Sequence, residues 1–240
     1  MILFRSILYF ILLLTSTVIL ATVGTLVGWA LPNNGIHWID HTWSRINLWG
    51  LDFFCDLKYR LEGAENIPDG SCIVFAKHQS AWETIALVSL IPGPKAWVIK
   101  RELIFLPFLG WVMIYFKPIA INRKSGRKAV DQIIEQGKER LDSGKNVFVF
   151  PEGTRVAPGA QKRYGIGGAM LAEKTGYPVL PVAHNAGVFW RRRDLRKYSG
   201  TIDVRIGPLI ETKGLTAAEI NKAAEAWIES TVESLPQTRK

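Results

Sequence analysis

An imidazole and a carboxylate stand five positions apart in the run KHQSAWE at residues 77–83: His78 and Glu83. A carboxylate that accepts a hydrogen bond from one ring nitrogen fixes the tautomer and leaves the other nitrogen as a general base. Ser80 lies two residues from His78, but no GxSxG context surrounds it, and it suits a helix cap or turn. A covalent acyl-enzyme is therefore not suggested. Taken alone, a His followed five residues on by a Glu is a weak signal.

A second chemical element is FVFPEGTR at residues 148–155. Gly153 permits close backbone approach, and Arg155 offers a planar fork of donors suited to phosphate. Glu152 would position that guanidinium or a substrate hydroxyl. An ordinary Pro-Gly turn with a solvated Arg reads the same way.

The elements that must carry these groups follow from the pattern beyond residue 62. Short apolar runs at 71–76, 96–99, 118–121, 146–150, 179–183 and 201–206 read as strands. Helical stretches fall at 80–90, 103–114, 124–142, 167–175 and 216–234, the last opened by the capping-box spacing Thr216-x-x-Glu219. Buried strands alternating with helices predict an α/β domain with a mixed, largely parallel sheet flanked by helices. Polar residues fall at five consecutive strand ends: Lys77-His78, Lys100-Arg101, Asn122-Arg123, residues 151–155 and His184-Asn185. Ligands of open α/β sheets gather outside the carboxyl ends of the strands, so these five ends describe one site.

The amino-terminal part is different. Residues 6–36 carry no charge, and 7–31 are apolar apart from scattered Thr, Ser and Gly. A helix of that length is long enough for a hydrocarbon core of about 30 Å. Arg5 and the small residues Ala21 and Ala30 also suit a secretory signal, but the stretch outruns an ordinary signal core and no small-x-small site follows it. A retained membrane anchor is expected. Gly24 and Gly28 have the GxxxG spacing that lets another helix approach. Residues 36–59 hold Trp38, Trp43, Trp49, Phe53 and Phe54 among charged residues and read as an interfacial helix, with a core helix as the alternative. The expected division is 1–60 for the membrane-seated helices and 61–240 for the α/β domain. His37 and His41 have metal-ligand spacing without a third ligand, so no metal is expected.

The 240 residues leave room for one domain plus such an anchor. With 30 Lys and Arg against 21 Asp and Glu, the net charge of +9 suggests anionic partners. The densest basic cluster, at residues 190–197, suits anionic lipid or the phosphates of a carrier as well as a solvated loop. No nucleic-acid motif accompanies the charge. Two cysteines cannot build a disulfide framework, which points to a reducing compartment.

Together, KHQSAWE (77–83), KRELIFLPFLGW (100–111), AINR (120–123), FPEGTR (150–155) and VLPVAHNAG (179–187) resemble the glycerolipid acyltransferase family, most nearly its bacterial 1-acylglycerol-3-phosphate acyltransferases. The motif core covers residues 71–187, and the amino-terminal segment resembles the family's membrane-seated two-helix motif. One position departs: the family usually has Asp where this chain has Glu83. The resemblance implies that His78 deprotonates the 2-hydroxyl of a lysophospholipid while that oxygen attacks an acyl thioester, with Glu83 orienting the imidazole. It implies that Arg155, Glu152, Gly153 and Thr154 hold the glycerol phosphate, assisted by Lys100 and Arg123, and that residues 103–111 line the acyl-chain side. It implies no metal or redox cofactor, a donor carried on coenzyme A or acyl carrier protein, and a cytoplasmic-membrane location with the catalytic domain facing the cytoplasm. Another lysolipid acceptor, such as a lyso-ornithine lipid, or a non-catalytic lipid-binding relative would carry the same motifs.

Overall fold

The computed structural model describes residues 1–31, 35–122 and 125–239. Seven strands form one sheet: β1 (Leu57–Glu62), β2 (Ile73–Ala76), β3 (Lys95–Lys100), β4 (Ile119–Ile121), β5 (Asn146–Val149), β6 (Val179–His184) and β7 (Gly200–Ile206). Their spatial order is β1-β7-β6-β2-β5-β3-β4. All neighbours are parallel except β6 and β7, so the sheet is mixed and largely parallel, as the alternation of elements predicts. Parallel strands are covered on both faces, which is why their runs lack a polar alternation. In β2, Val74 and Ala76 enter the core under α3 (Trp82–Leu90), while Ile73 and Phe75 enter the opposite core. That second core is closed by α5 (Arg127–Asp142), α6 (Gly167–Thr175) and α8 (Ala217–Ser234). The capping box of α8 forms: Thr216 Oγ1 accepts the Glu219 N–H, and Glu219 accepts the Thr216 N–H.

Two further helices lie at the amino end. The first, α1 (Ile2–Val27), packs along α2 (His37–Cys55). Hydrogen bonds from Trp43 Nε1 to Thr17 Oγ1 (2.9 Å) and from Asn47 Nδ2 to Ser16 Oγ (3.1 Å) tie the pair together. Ser44 on α2 donates to the Ile85 carbonyl on α3 (2.7 Å), fastening the hairpin to the domain. Near its start, α1 presents Ser6 to the Lys197 N–H (2.9 Å) and Tyr9 to the edge of Trp190 (5.8 Å). At its other end it meets α4 (Leu109–Phe116), where Tyr115 donates to the Thr25 carbonyl (3.3 Å). A Cβ on Gly24 would lie 2.6 Å from Val112, and one on Gly28 would lie 2.7 Å from the Tyr115 ring. The GxxxG spacing therefore serves contact with α4 of the same chain.

Two expectations need correction. The helix expected over 36–59 ends at Cys55, where Asp56 takes a left-handed conformation (φ 50°), and Leu57–Glu62 is an edge strand paired with β7. Its alternating charges suit a strand with one neighbour and an exposed face, a pattern easily read as helix. The single helix expected over 103–114 is split into a short 3-10 turn, Arg101–Phe105, and α4. Pro107 cannot continue a helix and disfavours helical backbone before it. Leu106 is accordingly extended, and Phe108 enters α4 with φ 62°.

Candidate active site

The carboxyl ends of β6, β2, β5, β3 and β4 lie side by side at one edge of the sheet. His78 follows β2, and Glu83 sits in the first turn of α3. His78 Nδ1 donates to Glu83 Oε1 at 2.8 Å. The same oxygen accepts the Gln79 and Ser80 N–H groups (2.9 and 2.8 Å), so the strand-to-helix turn is wound around the carboxylate. Ser80 Oγ accepts the Trp82 N–H, the turn role its context suggests. Burial works against charge on the fully buried Glu83, but the facing His184 and His78 rings and the Ser80 N–H outweigh it and hold its pKa below the ordinary carboxylate value. An ionised Glu83 fixes the proton on Nδ1 and leaves His78 Nε2 with its lone pair. Phe150 stacks on the imidazole at 4.0 Å and 12°, with Trp97 beside it, so the His78 ring rests against an aromatic wall.

The loop after β5 returns to His78. The Val156 N–H donates to the His78 carbonyl (2.8 Å), and the Gly165 N–H closes the loop on the Pro151 carbonyl (2.8 Å). Arg155 is therefore one residue from a direct bond to His78 backbone, and its own carbonyl accepts from Arg192 Nη1 (3.2 Å). Gly153 turns the chain with φ 67°, a left-handed backbone that disfavours other residues, and Thr154 and Arg155 are half-buried beside it.

Glu152 has different surroundings from those expected of a substrate ligand. It is buried (2% exposed), and its Oε1 accepts the His78 N–H (3.3 Å) and lies 3.3 Å from Lys77 Nζ. Lys77 is also buried and makes a close pair with Glu229 of α8, at 2.6 and 2.8 Å from its two oxygens. Tyr164 donates to that Glu229 at 2.8 Å. Burial pushes the Glu152 carboxyl pKa up, and Lys77 only partly opposes it. The geometry makes Glu152 a support for the His78 backbone. Lys100 is exposed at the end of β3, 3.5 Å from Glu102, and makes no contact with the dyad. Arg123 lies outside the described residues.

The basic cluster at 190–197 divides. Arg192 joins the Arg155 loop, Arg196 pairs with Asp194 (3.0 Å), and Lys197 is buried. Its ammonium lies 4.6 Å from the Trp190 ring centre and 5.2 Å from that of Tyr9, and burial lowers its pKa to about 8. Lys197 thus belongs to the docking of α1. The Lys77–Glu229 pair, 152 positions apart, and the Phe150 stack had no signal in the sequence beyond polarity and hydrophobicity. Among the described residues, no three His, Cys, Asp or Glu side chains are grouped to share a metal ion.

Comparison with known proteins agrees with this arrangement. The Acyltransferase family model matches residues 58–185, from β1 through β6. A 1-acyl-sn-glycerol-3-phosphate acyltransferase of Pseudomonas aeruginosa is 39% identical over 232 residues, covering 95% of this chain and 90% of that protein. One from Borreliella burgdorferi is 28% identical over 177 residues, covering 73% and 69%. The crystal structure of the 1-acyl-sn-glycerophosphate acyltransferase of Thermotoga maritima has the same fold, with a TM-score of 0.81 at 24% identity over 97% of this chain and 95% of that one. With the family model matching more than half of the chain and a relative 39% identical over 95% of it, the chain belongs to the acyltransferase family.

Proposed function

We propose that this protein transfers an acyl group from an acyl thioester to the 2-hydroxyl of 1-acylglycerol-3-phosphate, giving phosphatidic acid for phospholipid synthesis. The observation that carries the reading is the His78–Glu83 hydrogen bond with the Arg155 loop bonded to the His78 carbonyl. A general base and a phosphate-binding guanidinium are then held by one short stretch of backbone. The names of the relatives support the same acceptor.

In this mechanism His78 Nε2 takes the hydroxyl proton as the oxygen attacks the thioester carbonyl. The new C–O bond forms, the C–S bond breaks, and the imidazolium returns the proton to the departing sulfur. Glu83 stabilises the imidazolium meanwhile. Proton and electron balance close on the two substrates and His78, so the step calls for no redox partner. Thr154, Gly153 and Arg155 hold the phosphate, with Glu152 acting through the backbone, and Lys100 and Arg123 assist with their positive charge. Coenzyme A and acyl carrier protein are both suitable thioester carriers, and either source puts the domain on the cytoplasmic side of the inner membrane.

Membrane seating follows a specific geometry. The uncharged stretch 6–36 contains most of α1, whose 26 residues measure about 39 Å, and both ends of that helix bond to the catalytic domain. A helix leaving the domain to cross a bilayer would touch it at one end. We therefore assign α1 and α2 to one leaflet, with exposed Phe4, Ile11, Ile19, Trp49 and Phe53 facing lipid and Trp29 at the interface. The test is to incubate membrane-embedded protein with 1-acylglycerol-3-phosphate and acyl-coenzyme A, following thiol release and lipid mass. Acceptor-dependent thiol and phosphatidic acid, both lost in His78→Ala, are expected. Silence with coenzyme A and acyl carrier protein donors alike would defeat the proposal.

A further inference from the structure

Glu83 uses only one of its oxygens in the contacts described above. Oε2 is buried and has no hydrogen-bond partner among the described residues, and it lies 3.8 Å from Nε2 of His184. His184 ends β6 and is fully buried. Its Nε2 donates to the Lys77 carbonyl (2.8 Å), and its Nδ1 accepts the Ala186 N–H (3.2 Å), which together specify the neutral tautomer protonated on Nε2. Burial lowers the His184 pKa, in keeping with that neutral form. The edge of Trp82 closes the ring's other side at 6.0 Å. One N–H thus holds the backbone immediately before His78, while its nitrogen lies 3.8 Å from the carboxylate that pairs with the His78 ring. An unpaired, buried carboxylate oxygen is costly, and a fixed N–H dipole facing it reduces that cost without adding a second charge to the dyad.

Building on the acyl-transfer reading, we propose that His184 is a positioning residue for this reaction: its Nε2–H edge holds the Lys77 carbonyl and faces Glu83 Oε2, keeping the carboxylate ionised and the His78 ring in register. His184 itself does not touch substrate or carry the transferred proton. The side-chain length of Glu83 is part of the device, because one carboxylate spans from His78 Nδ1 and two backbone N–H groups to the His184 ring.

The experiment compares wild type, His184→Phe, His184→Gln and Glu83→Gln in acyl transfer across pH, each checked for folding by thermal unfolding. In His184→Phe, kcat should fall about tenfold to a hundredfold, the range for stripping a polar partner from a buried charge, with both KM values within about twofold. The acid limb of its kcat profile should move to higher pH. His184→Gln, which keeps a neutral N–H donor, should recover most of the loss. Adding His184→Phe to Glu83→Gln should cost about twofold or less, since the charge it faces is gone. An unchanged kcat and pH profile in folded His184→Phe, or a loss confined to KM, would overturn the proposal; if His184→Phe does not fold, His184→Leu is read by the same criteria. Nitrogen-15 NMR of labelled histidine separates this from the acyl-transfer reading: the His184 Nε2–H signal should shift in Glu83→Gln even in a protein without turnover, and an unmoved signal counts against the contact.

Discussion

Lys77 Nζ lies 2.6 Å from Glu229 Oε1, joining the residue before His78 to the carboxyl-terminal helix α8. The pair is enclosed by Glu152 and Tyr164, so the strand end that presents His78 is anchored from the far end of the chain. Removing one partner leaves the other as an uncompensated buried charge. Lys77→Met should therefore destabilise the protein by about 3–5 kcal/mol. Urea unfolding monitored by tryptophan fluorescence checks this, and a loss below about 1 kcal/mol would mean that the network is slack.

Glu83→Gln keeps the shape of the side chain and removes its charge. The amide can no longer hold the Nδ1 proton as a carboxylate does, so kcat should fall by about a thousandfold or more with little change in KM. Glu83→Asp should retain intermediate activity, because the shorter side chain cannot reach both His78 and the His184 side of its pocket. Steady-state kinetics distinguish the two.

Arg155→Gln should act on binding. Loss of a charge-assisted contact to phosphate raises KM for 1-acylglycerol-3-phosphate by about tenfold or more. A monoacylglycerol acceptor, which lacks the phosphate, should respond much less. Equal effects on both acceptors would remove Arg155 from the phosphate site.

His184 also sets a pH dependence of stability. Burial lowers its folded pKa below the ordinary 6.5. The unfolded chain therefore binds a proton, as pH falls below 6.5, that the folded chain refuses, so stability is full above 6.5 and declines as pH falls toward the folded pKa. Wild-type Tm should drop more steeply as pH falls below 6.5 than that of His184→Gln. Parallel slopes would show that other groups carry the acid sensitivity.

Gly28→Val tests the docking of α1. Its Cβ would fall 2.7 Å from the Tyr115 ring, a clash that pushes α1 away from α4. A loss of about 1–3 kcal/mol and faster proteolysis within residues 20–31 are expected in detergent micelles. Unchanged protection would place Tyr115 in a rotamer with room to spare.

Much of this protein is legible in its sequence because parallel, two-sided strands must be continuously apolar and must end where polarity resumes. The runs at 71–76, 146–150 and 179–183 therefore announce both the sheet and the edge where its site lies. His78 and Glu83 are readable as a pair because five residues separate them across one turn, so local backbone geometry alone brings them together. Edge strand β1 escapes the same reading, because one neighbour and an exposed face leave no apolar run to mark it.

Contacts between distant segments are a different matter, since no local pattern encodes them. Glu152 reads as a substrate ligand from its place beside Gly153 and Arg155, and only the fold buries it against Lys77 and the His78 backbone. Gly24 and Gly28 announce a close approach, but it took α4 to supply the partner. Glu229 and His184 meet residues 152 and 101 positions before them, at Lys77 and Glu83, through the packing of α8 and the order of the strands. Local chemistry and periodicity determine the His78–Glu83 pair and the sheet. The tertiary structure decides which charges stay exposed and which are buried around His78, because burial depends on what the rest of the chain packs against each group.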